Sequence, residues 1–252
     1  MIRKLLNRFL SRRNRSTSKT FYESTATCQI SNLDRLFSRF LGEHQDGLFV
    51  EVGAYDGVFA SNTFGLAQQN WKGLLIEPIP KFAAKCRQNY RDYPFIQVVE
   101  TAVGPPNKLN VTLLLADTLT TANERSFEEY RQVKWAVNSL TGSKLTVPCM
   151  SLDEILIKYD VPIEFDVLVV DVEGFETEVF MGFDIAHWRP KMMIVELVDT
   201  HPDLSVMALK DALLGKHLCD QGYQIVFKDF INTVFVRSDI WTDAYKSSDG
   251  DV

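Results

Sequence analysis

The stretch FVEVGAYDGVFASNTFGL, residues 49–66, carries the strongest indication of the fold. Residues 48–53 have the apolar pattern of a short buried strand that ends at Gly53, where a side chain would block close approach of a ligand to the backbone. Gly57 then lets the chain turn into a helical pattern at 61–69. A strand, a glycine turn and a helix in this order predict the start of a parallel α/β unit.

The same alternation continues along the chain. Further strands are predicted at 73–77, 95–99, 165–171 and 192–198, and further helices at 80–90, 175–182 and 204–221. Two last strands, 223–228 and 233–237, are joined by a short connection and form a hairpin, so the final strand runs antiparallel to the others. The pattern predicts an α/β fold with a doubly wound, Rossmann-like, mostly parallel sheet and a C-terminal antiparallel hairpin strand.

One part of the chain departs from this order. Strands are predicted at 110–116 and 144–149, and the residues between them mix hydroxyl and aromatic side chains. We expect a tail at 1–20 and a single domain at 21–252, with an insertion near 117–147 that is either a lid over a bound ligand or a poorly ordered segment.

Positive charge is concentrated at the start of the chain. Seven of the 27 basic residues lie in the first nineteen, and the remainder carries 20 basic against 33 acidic residues. Apolar residues in residues 1–19 follow helical spacing, which is consistent with peripheral contact with an anionic membrane surface. A solvated disordered tail and an organelle transit peptide are the alternatives.

Composition excludes several classes of protein. The acidic domain is a poor match for nucleic acid, which requires a positive face. No apolar run approaches the roughly 20 residues of a membrane span. The four cysteines, Cys28, Cys86, Cys149 and Cys219, show no paired spacing, which favours a reducing compartment and cytoplasmic localisation.

The turn after the first strand contains acids in place of a dinucleotide fingerprint. Glu51 and Asp56 flank Gly53 without a GxGxxG pattern, which disfavours a nicotinamide enzyme and suits a ligand with an ammonium or sulfonium charge. Glu77 ends the next strand near the roughly 20-residue offset at which such folds hold a ribose. Thr101 and Ala102 follow the third strand, where an adenine would lie. Together these positions describe S-adenosylmethionine.

These runs also resemble a known family. The stretch at 49–66, LLIEPIP at 74–80, FDVLVVDVEGFETEVFMGFD at 165–184, PKMMIVEL at 190–197 and GYQIVF at 222–227 are similar to FkbM-type methyltransferases. The resemblance covers about residues 48–238 and implies a class I methyltransferase fold with O-methylation of hydroxyls on sugars or polyketide-like products. Val169 stands where many members have a lysine, and this difference concerns the substrate and not the fold.

The resemblance and the strand ends together give a set of residues for S-adenosylmethionine. By position, the first loop would hold the methionine end and the second strand end the ribose. The predicted cofactor-binding residues are Glu51, Gly53, Ala54, Asp56, Gly57, Ser61, Asn62, Glu77, Pro78, Thr101, Ala102 and Asp171.

The later strand ends supply candidate catalytic groups, since methylation of a hydroxyl requires a base or a metal ion that lowers its pKa. Asp171 and Glu173 follow one strand, and Glu196 closes the next. Asp171 and Glu196 are the candidate ligands of Mg²⁺ or Mn²⁺. A rival assignment makes His201 the base, oriented by Asp199 or Glu196. Alternatively, Asp171 and Glu173 only cap the helix that starts near Phe175.

The sequence therefore predicts an S-adenosylmethionine-dependent O-methyltransferase acting on a hydroxyl of a small molecule or glycan, most simply a carbohydrate or glycolipid. The alternative is a non-catalytic module of the same fold that binds S-adenosylmethionine or a nucleotide. The acceptor, the position methylated and the oligomeric state are left open by the sequence.

Overall fold

The computed structural model describes Tyr22 and residues 28–248, with side chains to residue 244. The basic segment 1–19, for which membrane contact was one prediction, lies outside the described residues. Within them, no helix combines the length and apolar character that a bilayer crossing requires.

The described residues form ten strands. In chain order they are β1 (Leu48–Val52), β2 (Lys72–Ile76), β3 (Ile96–Val99), β4 (Ala102–Val103), β5 (Asn110–Leu114), β6 (Lys144–Met150), β7 (Val167–Val170), β8 (Met192–Glu196), β9 (Tyr223–Lys228) and β10 (Asn232–Arg237).

The same residues form nine α-helices and two 3₁₀ turns. The helices are α1 (Leu33–Leu41), α2 (Phe64–Gln68), α3 (Pro80–Asn89), α4 (Glu124–Tyr130), α5 (Leu152–Lys158), α6 (Glu176–Met181), α7 (Ile185–Trp188), α8 (Ala208–Asp220) and α9 (Ser238–Ser248), and the 3₁₀ turns are Asp117–Leu119 and Val137–Ser139.

Seven strands build the main sheet in the order β3-β2-β1-β7-β8-β10-β9. All neighbours from β3 to β8 are parallel, whereas β10 is antiparallel to both β8 and β9. This confirms the doubly wound fold and the antiparallel hairpin strand. The strand order reverses between β1 and β7, which is where a sheet of this type binds its ligands.

Both faces of the sheet are buried, which explains why its strands are nearly continuous apolar runs. Val50, Leu168 and Val170 contribute to one core. Phe49 and Val167 contribute to the core on the other face, where α1 packs. The alternation along β1 and β7 therefore fixes which side chains point to each helix layer.

Two helices are shorter than predicted because polar side chains hold the chain in loops before them. Helix α2 begins at Phe64, since the hydroxyl of Ser61 accepts the N–H groups of Thr63 and Phe64. Helix α8 begins at Ala208 and not at 204, because residues 199–207 form a loop organised by His201.

A three-stranded sheet, β4-β6-β5, carries the insertion. Strands β5 and β6 pair antiparallel, so the residues between them start and end at the same edge. Helix α4 begins where the side chain of Asn123 accepts the N–H groups of Arg125 and Ser126. Residues 117–147 are thus a folded excursion of the β5–β6 hairpin.

Candidate active site

A cavity of about 470 Å³ lies at the carboxyl ends of the central strands. Residues that follow β1, β2, β7 and β8 line it, and the insertion and the β9–β10 turn complete its wall. Its size is within the range of small-molecule sites. The cavity therefore occupies the place that the reversal of strand order predicts.

Gly53 brings the loops after β1 and β7 into contact. Its φ angle is +89°, and a Cβ atom built on it would lie 1.8 Å from the backbone oxygen of Asp171. The N–H groups of Gly53 and Ala54 both donate to the carbonyl of Ile76. Only glycine allows this approach, so Gly53 shapes the floor of the cavity.

Glu51 is a buried carboxyl group surrounded by neutral donors. The hydroxyl of Thr63 lies 2.8 Å from its Oε2, and that of Ser61 lies 3.3 Å from its Oε1. Burial raises the pKa of Glu51 to about 8, against the effect of these hydrogen bonds. Ser61 and Asn62 line the cavity together with Glu51, in agreement with their predicted placement.

Three residues of the first loop lie elsewhere than predicted. Ala54, Asp56 and Gly57 are absent from the cavity wall. The carboxylate of Asp56 accepts the N–H groups of Val58 and Phe59, and a Cβ atom on Gly57 would meet the ring of Tyr90 at 2.5 Å. Asp56 and Gly57 stabilise the loop away from the cavity, because the side chain of Asp56 bonds to its own backbone and Gly57 packs against Tyr90.

Glu77 ends β2 with its carboxyl group at the cavity wall. Oε2 accepts the N–H of Tyr55 at 2.9 Å, and Oε1 accepts that of Ile79 at 2.8 Å. Burial raises its pKa to about 7, and both hydrogen bonds lower it. Each oxygen retains a second lone pair for a hydroxyl donor. Pro78, Thr101 and Ala102 line the same wall.

Asp171, Glu173 and Glu196 meet at the ends of β7 and β8. One carboxyl oxygen from each lies within 4.8 Å of the others. The N–H of Glu173 donates to Glu196 Oε2 at 3.0 Å, and the hydroxyl of Tyr130 donates to Glu173 Oε2 at 2.7 Å. Burial raises the pKa of all three, and for Glu173 and Glu196 repulsion from neighbouring carboxylates adds to it.

The alternative role of Asp171 and Glu173 as helix caps is wrong. Phe175 occupies the N-cap position of α6, and no side chain caps it. Glu176 instead holds this turn, because its Oε1 accepts the N–H groups of Val172 and Gly174. Asp171 and Glu173 are thereby left to the cavity.

The local hydrogen bonds of His201 disfavour the rival assignment of this residue as general base. Its Nδ1 accepts the N–H groups of Asp203 at 3.0 Å and Leu204 at 3.1 Å, so the ring hydrogen of the neutral imidazole belongs on Nε2. Burial lowers the pKa of His201, which favours the neutral imidazole. Asp199 does not orient it, since that carboxylate pairs with Lys228. His201 lines the cavity and organises its own loop.

Residues of the insertion form part of the cavity wall. The 3₁₀ turn Asp117–Leu119 and the side chain of Trp135 contribute to the wall of the cavity. The indole Nε1 of Trp135 donates to Asp203 at 3.0 Å, and the hydroxyl of Tyr55 donates to Asp117 at 2.8 Å. Glu129 accepts the N–H groups of Ser205 and Val206. These contacts hold the insertion against neighbouring loops of the domain, and its role as a lid stays a prediction.

Two residues of the site were missed from the sequence. Gln29 precedes α1, lines the cavity and donates from Nε2 to Asp171 Oδ2 at 3.2 Å, while its Oε1 accepts from Asn62. Tyr130 approaches Glu173 from the insertion. Neither lies at a strand end, so the strand-end argument had no means of finding them.

Comparison with known proteins gives the family. The model of the methyltransferase FkbM domain matches residues 51–225. Comparison with curated proteins gave no match.

Solved structures with a similar fold include three methyltransferases. Methyltransferase FkbM from Methylobacillus flagellatus KT is 15% identical with a TM-score of 0.48, over 76% of this chain and 44% of that one, so this chain spans less than half of its length. The O-methyltransferase TomG from Streptomyces achromogenes, in complex with SAM, is 14% identical with a TM-score of 0.43, over 80% and 77%. Precorrin-6y C5,15-methyltransferase from Geobacter metallireducens GS-15 is 13% identical with a TM-score of 0.43, over 88% and 95%.

The family match extends from Glu51 at the first strand to Ile225 in the closing hairpin, and so spans more than half of the chain and the strand ends that build the cavity. The chain therefore belongs to the FkbM methyltransferase family.

Proposed function

We propose that this chain is an S-adenosylmethionine-dependent O-methyltransferase that acts on a hydroxyl of a carbohydrate or glycolipid. The observation that carries the proposal is the division of one cavity between Glu77, alone at the end of β2, and the cluster of Asp171, Glu173 and Glu196 at the ends of β7 and β8. The first position suits a nucleoside, and the second suits the proton chemistry of a hydroxyl.

The residues present fit S-adenosylmethionine. The carboxyl oxygens of Glu77 have lone pairs for both ribose hydroxyls, and Thr101 and Ala102 offer a wall for the adenine. The amide of Asn62 supplies a neutral donor for the methionine carboxylate beside Ser61, and the nearby acids suit the ammonium and sulfonium charges of the cofactor. When bound, the cofactor supplies an electrophilic methyl group.

The chain's own residues would position the acceptor and take its proton. A carboxylate with a raised pKa is a stronger base than a free one, and burial raises the pKa of both Asp171 and Glu196. Tyr130 fixes Glu173 by its hydroxyl, and the contacts of Trp135 and Glu129 hold the insertion against the loop at 203–206.

The same cluster is suited to a hard divalent cation. Three carboxyl groups within 4.8 Å of one another offer the oxygen ligands that Mg²⁺ and Mn²⁺ prefer. Asp171 and Glu196 would then be ligands, and the ion would lower the pKa of the acceptor hydroxyl. This role and the role of general base differ in whether turnover survives a chelator.

Calorimetric titration with S-adenosylmethionine and S-adenosylhomocysteine, with and without Mg²⁺ or Mn²⁺, tests the cofactor assignment. We expect micromolar binding of both compounds and, in a second assay, release of S-adenosylhomocysteine with a panel of methyl glycosides. Glu128→Gln, on the exposed face of α4, is the control that should behave as the wild type. Absence of binding to folded protein would overturn the proposal, and binding without transfer to any glycoside would favour a non-catalytic module.

A further inference from the structure

Charge is distributed one-sidedly around the cavity. No lysine or arginine lines it among the residues that the structure describes, whereas eight carboxyl groups do: Glu51, Glu77, Asp117, Asp171, Glu173, Glu196, Asp203 and Asp229. Two of these, Glu51 and Glu77, fall to the cofactor under the proposed function, and Asp171, Glu173 and Glu196 form the buried cluster in which the raised pKa favours the protonated carboxyl groups. Asp117, Asp203 and Asp229 are the remaining acids of the wall.

No lysine or arginine of the described wall offsets the last three acids. His201 is the single basic side chain in the described cavity wall, and it is neutral, because its Nδ1 already accepts two backbone N–H groups. Lys228 lies nearby but pairs with Asp199, and neither residue lines the cavity. In the protein without a bound divalent cation, an anionic group entering the cavity would therefore approach the carboxylates of Asp117, Asp203 and Asp229 with no lysine or arginine in the described wall to pair with.

Neutral and cationic groups, by contrast, have partners here. The indole of Trp135 is held at the wall by its bond to Asp203, and an aromatic ring can stack on a sugar or contact an ammonium group. Carboxylates accept hydrogen bonds from hydroxyls and, more strongly, from ammonium groups. Thr118 and Thr120 add neutral hydroxyls to the same wall.

We propose that the cavity selects its acceptor by charge: it takes hydroxyl compounds that are uncharged or carry a protonated amine, and it excludes those that carry phosphate, sulfate or carboxylate. The inference rests on the proposed function, because it concerns the acceptor of that reaction. It narrows the substrate class to neutral and amino sugars.

A matched series of sugars tests the selection. The protein saturated with S-adenosylhomocysteine is titrated with three related sugars: methyl α-D-glucopyranoside, its 6-amino-6-deoxy derivative and its 6-carboxylate. The corresponding galactose and mannose series are titrated in the same way. The amino member should bind at least as tightly as the neutral parent, and the carboxylate at least about 30-fold more weakly. The difference in affinity between the neutral sugar and its carboxylate should decrease as salt is added, because salt screens the repulsion between exposed charges.

The double variant Asp117→Asn/Asp203→Asn identifies the source of the repulsion. Each asparagine keeps an oxygen to accept from Tyr55 or Trp135, and asparagine tolerates the φ of +54° at position 117. In this variant the affinity for the neutral sugar should exceed the affinity for its carboxylate by less than about tenfold. Asp160→Asn/Glu128→Gln is the matched control, since it removes two charges away from the cavity and position 160 has a similar φ of +52°.

The outcomes separate this inference from the proposed function. If S-adenosylhomocysteine binds and a carboxylate sugar binds as well as its neutral parent, charge selection is wrong while the cofactor assignment stands. Failure of every neutral and amino sugar to bind would overturn charge selection too. If S-adenosylhomocysteine itself does not bind, the proposed function fails and takes this inference with it.

Discussion

Glu77 and Glu196 stand at the ends of two strands of one sheet and line one cavity, but their surroundings differ. Neutral backbone donors hold both oxygens of Glu77. Glu196 has other carboxyl groups around it, and their repulsion adds to burial in raising its pKa. An acid among donors is prepared to accept further hydrogen bonds, whereas an acid among acids is prepared to hold a proton. The contrast suggests that one half of the cavity binds and the other reacts.

The largest effect should come from the point where the two halves touch. Gly53→Ala should destabilise the protein by at least about 4 kcal/mol, because the new Cβ would collide with the backbone of Asp171 as well as strain the positive φ. Gly142→Ala isolates the second term, since Gly142 also has a positive φ but nothing within 4 Å, and it should cost only about 1 kcal/mol. Urea unfolding measures both, and equal losses would refute the collision.

Next in size is the loss of proton chemistry in the reacting half. Glu196→Gln and Asp171→Asn should lower kcat by about 10²- to 10⁴-fold. Affinity for S-adenosylhomocysteine should stay within a few fold for Glu196→Gln. Calorimetry and turnover on the same preparations make the test, and a variant that loses cofactor binding with unchanged kcat would place its residue in the binding half.

The binding half should show itself in the pH dependence of stability. The pKa of Glu51 is raised by burial to about 8 from 4.5, so the folded protein binds the proton more tightly than the unfolded chain does. The contribution of Glu51 to the free energy of unfolding is therefore fully present at low pH. It falls by a few kcal/mol as the pH rises from about 4.5 to 8. Glu51→Gln should flatten the decline of unfolding free energy, whereas Glu128→Gln, on the exposed surface, should leave it unchanged.

The smallest effect concerns the ribose contact. Glu77→Ala should weaken cofactor binding by about 1 to 3 kcal/mol through lost charged hydrogen bonds. Glu77→Gln keeps one acceptor oxygen for the backbone and should lose less. The wild-type affinity should also depend on pH near 7, where the carboxyl group of the free protein titrates. Unchanged affinity in folded Glu77→Ala protein would remove the ribose assignment.

The sequence was sufficient where position along a strand determines position in space. Asp171 and Glu196 follow neighbouring parallel strands, so their meeting could be predicted from the alternation of strands and helices. Gly53 was predicted to be a position that excludes a side chain, and the structure gives the backbone of Asp171 as the reason, while its contact with a cofactor stays a prediction. The antiparallel hairpin was predicted from the short connection alone.

The sequence did not predict the placement of side chains whose direction is set by hydrogen bonds within loops. Asp56 lies within a few residues of the cavity but turns back to its own backbone, and strand periodicity does not extend to such residues. His201 has the composition of a catalytic group, yet two local N–H groups occupy its Nδ1. Gln29 and Tyr130 reach the cluster from distant segments, which no local pattern reports.

The hairpin at the end of the sheet has a consequence for how such a protein can change. Because β9 and β10 run in opposite directions, the turn between them emerges at the cavity, and Asp229, Phe230 and Ile231 line its wall. Phe230 and Ile231 are exposed and belong to none of the strands. Replacement of these residues would therefore recast the wall that meets the acceptor without disturbing the parallel strands that carry Glu51 and Glu77. Under the proposed function, exchange of this turn should change acceptor preference and leave cofactor affinity unchanged.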